Sequence, residues 1–346
     1  MTETTSASEP VSGALRKRML WLGMICSYLV VSAHLRLFTD LAPDLAVMRY
    51  VVAIWRYGVC SIPAEVFFVL SGYSFFRTYR DTWEGYRGKL QRRLYTLVLP
   101  YLSWICLRSL WEIITGADAL SAANWLRWLG VTAQFPVLDP LWYVRDLILL
   151  CLLSPFIYAV FSRQWLGGIV LVVLWLLQWV SLSPYGHYVQ GLLWFSVGTY
   201  VVLQIDQASL ERCNRPWLWL FGWVVMVAIV QSLRERAGLA PGYMAPLYVL
   251  TGLPVLWNLA GALGNAYVER TIGPYGFFIY CAHSFFNFPF SMVWMRLFSA
   301  SEVGLIAGFF LVPMLSFISS IMAGKLGRAW FPRLYAFVTG GRGVRS

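Results

Sequence analysis

Apolar runs of about 20 residues recur along the whole chain, separated by short polar or basic stretches. Each is long enough to cross about 30 Å of hydrocarbon at 1.5 Å of helical rise per residue. They lie near residues 19–38, 54–76, 94–114, 141–162, 166–183, 188–205, 216–233, 243–263, 271–292 and 303–323. The pattern predicts an all-α, polytopic membrane helix bundle of about ten transmembrane helices. Composition agrees: 59% of the 346 residues are hydrophobic, 12% are charged, and mean hydropathy is +0.63. Soluble domains run nearer to about 45–50% apolar and 25% charged. The first fifteen residues are polar, and the run behind them is too long for a cleaved signal and lacks a small-residue cleavage site, so it is expected to remain as a helix. The expected organisation is a disordered cytoplasmic N-terminus over 1–15, a transmembrane domain over 16–325 and a cytoplasmic tail over 326–346, with no soluble domain on either side.

Basic residues orient the bundle, because cytoplasmic loops collect Lys and Arg. With the N-terminus inside, the inner segments hold Arg16 to Arg18, the group from Arg77 to Arg93, and the C-terminal set from Lys325 to Arg345, together with Arg163, Arg212, Arg215 and Arg270. The outer segments hold Arg36, Arg49, Arg127, Arg234, Arg236 and Arg296. Both termini are therefore expected in the cytoplasm. Topology and anionic lipid account for the net charge of +11, so no nucleic acid partner is implied. The six cysteines are scattered singly, without CxxC pairs or metal-ligand spacing, and read as small packing residues; no metal is expected. Interruptions at Ser61-Ile62-Pro63, Leu99-Pro100 and Pro289 predict kinked helices. No internal repeat is evident.

In such a chain, chemistry is sought in polar groups within the apolar runs, because a charge at the bilayer centre costs at least about 2.5–3.5 kcal/mol. His34, Glu65, the pairs Arg108 with Glu112 and Arg145 with Asp146, and His283 qualify. Counted along the predicted helices, His34 lies about 8 Å below the outer surface, Glu65 about 16 Å, His283 about 12 Å and Arg145 about 6 Å. Four helices thus contribute to one layer. Gly23, Ser27 and His34 share a stripe of the first helix, as do Ser61, Glu65, Phe68 and Gly72 of the second, so both polar groups are expected to face the interior. A histidine near its ordinary pKa exchanges a proton at neutral pH, which makes His34 the first candidate for a base. His187, after Ser183-Pro184, reads as solvated. His34 and Asp40 have five residues between them, unlike the His-x4-Asp pair of glycerolipid acyltransferases. Leu70-Ser71-Gly72-Tyr73-Ser74 is not a nucleophile elbow.

Three segments carry a resemblance to a known family. Glu65-Val66-Phe67-Phe68-Val69-Leu70-Ser71-Gly72-Tyr73, Pro140-Leu141-Trp142-Tyr143-Val144-Arg145-Asp146-Leu147 and Tyr280-Cys281-Ala282-His283-Ser284, together with the first-helix histidine, resemble acyltransferase family three. The resemblance implies a multi-pass enzyme of the bacterial inner membrane. Such an enzyme moves an acyl group, usually acetyl, from cytoplasmic acyl-CoA to a hydroxyl of a carbohydrate. It implies that His34 is catalytic and that Glu65 and Arg145 are site residues. Many members carry an arginine eleven positions before the histidine, where this chain has Gly23.

The expected mechanism follows. Acyl-CoA is a co-substrate, with no tightly bound cofactor, and its phosphates meet Arg77, Arg80, Arg92 and Arg93. His34 deprotonates the acceptor, Glu65 or Asp146 orients the imidazole, and Arg145 stabilises the oxyanion. Trp142, Tyr143 and His283 are candidate substrate contacts. The expected partners are membrane lipid, the carbohydrate acceptor and polysaccharide assembly proteins. Two other readings fit the same residues: a transporter or flippase with an intramembrane His/Glu/Arg relay, which predicts inverted repeats, and a non-catalytic scaffold.

Overall fold

The computed structural model describes residues 12–41, 44–116, 121–180, 186–212, 215–237, 245–299 and 301–342, and contains no strand among them. The helices in chain order are α1 (Gly13–Ala33), α2 (Arg36–Leu41), α3 (Met48–Tyr57), α4 (Pro63–Phe76), α5 (Trp83–Arg93), α6 (Leu99–Ile114), α7 (Ala122–Trp128), α8 (Trp142–Leu152) and α9 (Ser154–Phe161). They continue with α10 (Gln164–Leu177), α11 (Gly186–Gln204), α12 (Gln207–Arg212), α13 (Pro216–Ala237), α14 (Ala245–Ala262), α15 (Ala266–Thr271), α16 (Gly276–Phe298), α17 (Glu302–Trp330) and α18 (Pro332–Thr339).

Helix occurs at each of the ten predicted runs, but fewer stretches are long and apolar enough to cross a bilayer. Among the described residues four qualify: Met48–Phe76, Trp83–Ile114, Pro216–Leu233 and Glu302–Trp330. Two bent pairs raise the number to six if each is one span: Asp139–Leu152 with Ser154–Phe161, bent by 69°, and Pro246–Ala262 with Ala266–Phe298, bent by 106°. Outward faces are strongly apolar. Trp217 is 79% exposed on α13 and Trp165 is 86% exposed on α10, beside Phe221, Ile169 and Val172. Water penalises such surfaces; hydrocarbon does not. The chain is a membrane protein built of helices.

Boundaries depart from the sequence expectation in three places. The first run ends at Ala33 rather than continuing to 38, with α2 restarting after a break at His34. The basic stretch expected as an inner loop is helical over Trp83–Arg93, started by the Thr82 hydroxyl, which accepts from Gly85 N–H at 3.1 Å. It passes into α6 through a π turn at Leu94–Val98, where Leu99 N–H reaches back to the Leu94 carbonyl just ahead of Pro100, whose ring supplies no donor. At the other end, α17 runs unbroken across residue 325, where the tail was expected to begin. Most of the expected N-terminal segment, 1–11, lies outside the described residues.

The chain divides into two compact units. One, the histidine unit, comprises Val11–Phe67 and Gln207–Lys325; the other, the arginine unit, comprises Phe68–Asp206 and Leu326–Ser346. The histidine unit packs Leu35, Phe38, Met48, Val52, Leu305, Phe309 and Val312 into one core. Here Glu302 Oε1 accepts from Val47 N–H at 2.7 Å and Met48 N–H at 2.8 Å, so a carboxylate from α17 satisfies the open amides at the start of α3. In the arginine unit α4 and α11 approach backbone to backbone. A Cβ added at Gly72 would strike the Phe195 carbonyl, and one at Gly198 would strike Val69.

Candidate functional site

The break after α1 sets the geometry of His34. In a continued helix, the Val30 carbonyl would accept the His34 backbone N–H. Instead that N–H turns to the Val31 carbonyl at 3.3 Å, and the His34 imidazole takes Val30 through Nδ1 at 2.8 Å. A carbonyl accepts and never donates, so Nδ1 carries the proton and Nε2 presents its lone pair. The Val31 carbonyl accepts a second bond, from Asn287 Nδ2 of α16 at 2.9 Å. Two carbonyls at the end of α1 are thus satisfied by side chains, and the imidazole is fixed by the backbone that precedes it.

His283 of α16 repeats this logic. Its Nδ1 lies 2.8 Å from the Tyr280 carbonyl and 3.3 Å from Ile279, which leaves Nε2 as the acceptor, with Ser284 Oγ at 3.5 Å. The two imidazole centroids are 5.1 Å apart, tilted by 59°. His283 is fully buried, whereas His34 is half-buried. Arg36 and Arg56 lie within electrostatic range of His34. Arg56 stacks over Tyr57 with Cζ 5.5 Å from the ring centroid, and its Nε is buried without a hydrogen-bond partner.

Glu65 is 2% exposed in the first turn of α4, where the helix N-terminus favours a carboxylate. It lies within electrostatic range of Cys26, about two turns of α1 before His34. On its Nδ1 side the His34 imidazole is held by the Val30 carbonyl.

Arg145 and Asp146 belong to the arginine unit. Arg145 Nε donates to Asp146 Oδ1 at 2.9 Å, Nη1 to the carbonyls of Gly130 at 2.8 Å and Gln134 at 3.0 Å, and Nη2 to His187 Nε2 at 2.7 Å. Four of the five guanidinium N–H groups are therefore engaged. Tyr188 lies against the guanidinium at 5.1 Å, and His187 Nε2 is 3.8 Å from Asp146 Oδ2. Gly130 is required here: its φ is +67°, and a Cβ would sit 2.7 Å from Arg145 Nη1. The expectation that His187 is solvated is corrected, because α11 turns it into this cluster at 9% exposure.

The remaining candidates have simpler surroundings. Tyr143 hydroxyl bonds Ser71 Oγ at 2.7 Å and packs on Phe68 at 4.6 Å; Trp142 lies 6.0 Å from Phe68 and 6.1 Å from His187. Arg80 and Arg92 are exposed, while Arg77 and Arg93 are half-buried, Arg93 over Phe75. The buried cation of that stretch is Lys89, whose Nζ donates to the Phe75 carbonyl and Thr78 Oγ1, both at 2.6 Å. Arg108 and Glu112 pair one helical turn apart. Among the described residues no three His, Cys, Asp or Glu side chains cluster as a metal site. Sequence reasoning missed Asn287, although it stands four residues after His283, on the same face of the helix.

No solved structure matches this chain. The succinoglycan biosynthesis protein ExoH of Rhizobium meliloti (strain 1021) is 26% identical over 312 residues, which cover 84% of this chain and 80% of that protein. A family model described as an acyltransferase domain, the third of that name, matches residues 21–328, taking in both histidines and the arginine cluster. The chain belongs to this acyltransferase family, the one its helix motifs resemble.

Proposed function

We propose that the protein is an inner-membrane O-acyltransferase that moves an acyl group, acetyl by preference, from acyl-CoA to a hydroxyl of a polysaccharide or its lipid-linked precursor. Family membership supports acyl transfer, and the relative named for succinoglycan biosynthesis supports a polysaccharide acceptor. The observation that carries the reading is the imidazole of His34, held by Val30 with its Nε2 lone pair presented beside His283.

In the proposed reaction His34 Nε2 removes the proton of the acceptor hydroxyl as its oxygen attacks the thioester carbonyl. The new C–O bond forms, the carbonyl oxygen takes the negative charge, and the C–S bond then breaks. The proton passes to the departing thiolate, giving ester and CoA thiol. Arg56, with its unbonded Nε, is better suited than Arg145 to meet the oxyanion, because Arg145 already has four donors engaged. Arg145 and Asp146 act by holding the 130–136 segment against α8 and α11. The exposed cations Arg80 and Arg92, with Arg77 and Arg93, attract the phosphates of CoA. The proposed topology is about ten membrane-spanning segments with both termini cytoplasmic, in line with the basic-residue bias.

The test supplies the purified protein with radiolabelled acetyl-CoA and glycan acceptors, and compares wild type with His34→Ala. Label transferred by wild type and lost in a folded mutant that still binds CoA supports the assignment. Equal transfer by both removes His34 from the reaction, and absence of both transfer and CoA binding overturns the acyltransferase reading.

A further inference from the structure

The end of α1 and the facing turns of α16 carry three hydrogen-bond acceptors, with the Ser284 hydroxyl 3.5 Å from one of them, His283 Nε2. His34 has its Nδ1 proton on Val30, and His283 has its Nδ1 proton on Tyr280, so each presents Nε2 as an acceptor. Asn287 directs Nδ2 to Val31, which turns its Oδ1 the other way. That Oδ1 is buried without a hydrogen-bond partner, on a residue only 3% exposed. Leaving such an atom unmet is costly, and it persists where a ligand or water completes it. His283 and Asn287 are one turn apart on α16, and the imidazoles are 5.1 Å apart.

We propose that His34 Nε2, His283 Nε2 and Asn287 Oδ1 form a subsite that receives two neighbouring hydroxyls of a polyhydroxyl acceptor. One hydroxyl is handed to His34 for acylation; the other is held by His283 and Asn287, which makes Asn287 a specificity-determining residue. The inference rests on the acyltransferase reading and names its acceptor chemistry, a vicinal diol. The chemical reason is complementarity: acceptors on two imidazoles 5.1 Å apart and on the amide one turn along α16 need O–H donors, and a 1,2-diol supplies two at the spacing of adjacent ring carbons. An isolated hydroxyl, as on a fatty alcohol, meets only part of the set.

The experiment uses the full chain in lipid nanodiscs, with methyl β-D-glucopyranoside, methyl β-D-galactopyranoside, methyl α-D-mannopyranoside and their monodeoxy forms as probes. Binding is read by saturation-transfer NMR. Wild type is expected to bind at least one parent glycoside and to lose about tenfold in affinity when either of two adjacent hydroxyls is removed, with the other positions changing less than about threefold. In Asn287→Leu the discrimination at one of the two positions is expected to vanish, and in the transfer assay the KM for acceptor rises about tenfold while the KM for acyl-CoA stays within about twofold. Monodeoxy forms that all bind wild type as the parents do overturn the subsite, and so does an Asn287→Leu protein that keeps the full discrimination. Failure of every parent to bind tighter than about 50 mM overturns it as well. The wild-type series needs no variant, so it decides the matter even if Asn287→Leu does not fold. Acyl transfer without diol preference defeats the subsite and leaves the enzyme reading standing; diol-dependent binding without any transfer does the reverse.

Discussion

The two units treat buried polarity in opposite ways. In the arginine unit, Arg145 is enclosed by Asp146, His187 and two backbone carbonyls, and the ring of Tyr188 covers the guanidinium. In the histidine unit, His34, His283 and Asn287 each satisfy a carbonyl of a neighbouring turn and present one further acceptor. An arginine with four donors engaged has little left to offer a substrate, whereas an imidazole whose proton is held at Nδ1 is arranged to take another at Nε2. Polarity in an apolar chain can thus serve the fold or serve a ligand; each cluster leaves one buried acceptor unmet, Asp146 Oδ2 and Asn287 Oδ1, and what separates them is a cation whose donors are engaged in the first and absent from the second.

Substitutions can break this contrast. His34→Ala is expected to reduce acyl transfer by about 10²–10⁴-fold. The same change lowers stability by only about 0.5–1.5 kcal/mol, the worth of one hydrogen bond to Val30. Transfer assays paired with thermal melts in detergent measure both, and a mutant that melts early while its folded fraction works normally would move His34 to the structural side. Arg145→Met is expected to cost about 3–5 kcal/mol, because it strands Asp146 as an uncompensated buried charge, with activity falling only in proportion to folded protein. A well-folded Arg145→Met enzyme with abolished turnover would place the arginine in the chemistry and end the contrast. His187→Leu removes an acceptor from the same cluster and should destabilise by about 1–3 kcal/mol. Tyr143→Phe, which deletes the bond to Ser71 and keeps the packing on Phe68, should cost about 0.5–1.5 kcal/mol. If Tyr143→Phe instead raised the acceptor KM with no change in melting, that hydroxyl would belong with the ligand-facing groups.

Much of this was readable beforehand, for physical reasons that also explain the gaps. Hydropathy pointed to helix in each of the ten apolar runs, since apolar chain hides its amides best as helix, while four to six stretches among the described residues are long and apolar enough to cross a bilayer. Of the three boundaries that depart from that reading, two have a local cause that hydropathy does not carry. The polar stretch Trp83–Arg93 looks like a loop because polarity dominates a window average, yet the Thr82 cap and good helix formers such as Arg, Gln and Lys make it helix. The end of α1 is set by an imidazole competing for its own backbone, which no periodicity reveals. His34 and His283 stood out as titratable groups in apolar runs, and depth counting put them in one layer; their pairing depends on which helices are neighbours. His187 was misjudged because its burial comes from a segment 42 residues away in sequence. Asn287 escaped attention because an uncharged amide raises no alarm in a hydropathy profile.

The carboxylate that completes α3 has a further meaning for how the chain comes into being. Glu302 follows Val47 by 255 positions. At about 5–20 residues per second, the ribosome delivers it about 13–50 s after the amides it will meet. The histidine unit is also written in two instalments, Val11–Phe67 and Gln207–Lys325, with the arginine unit's longer stretch translated between them. Its first instalment is therefore translated before the other body and its second after it, so His34 cannot meet His283 until α16 has been made.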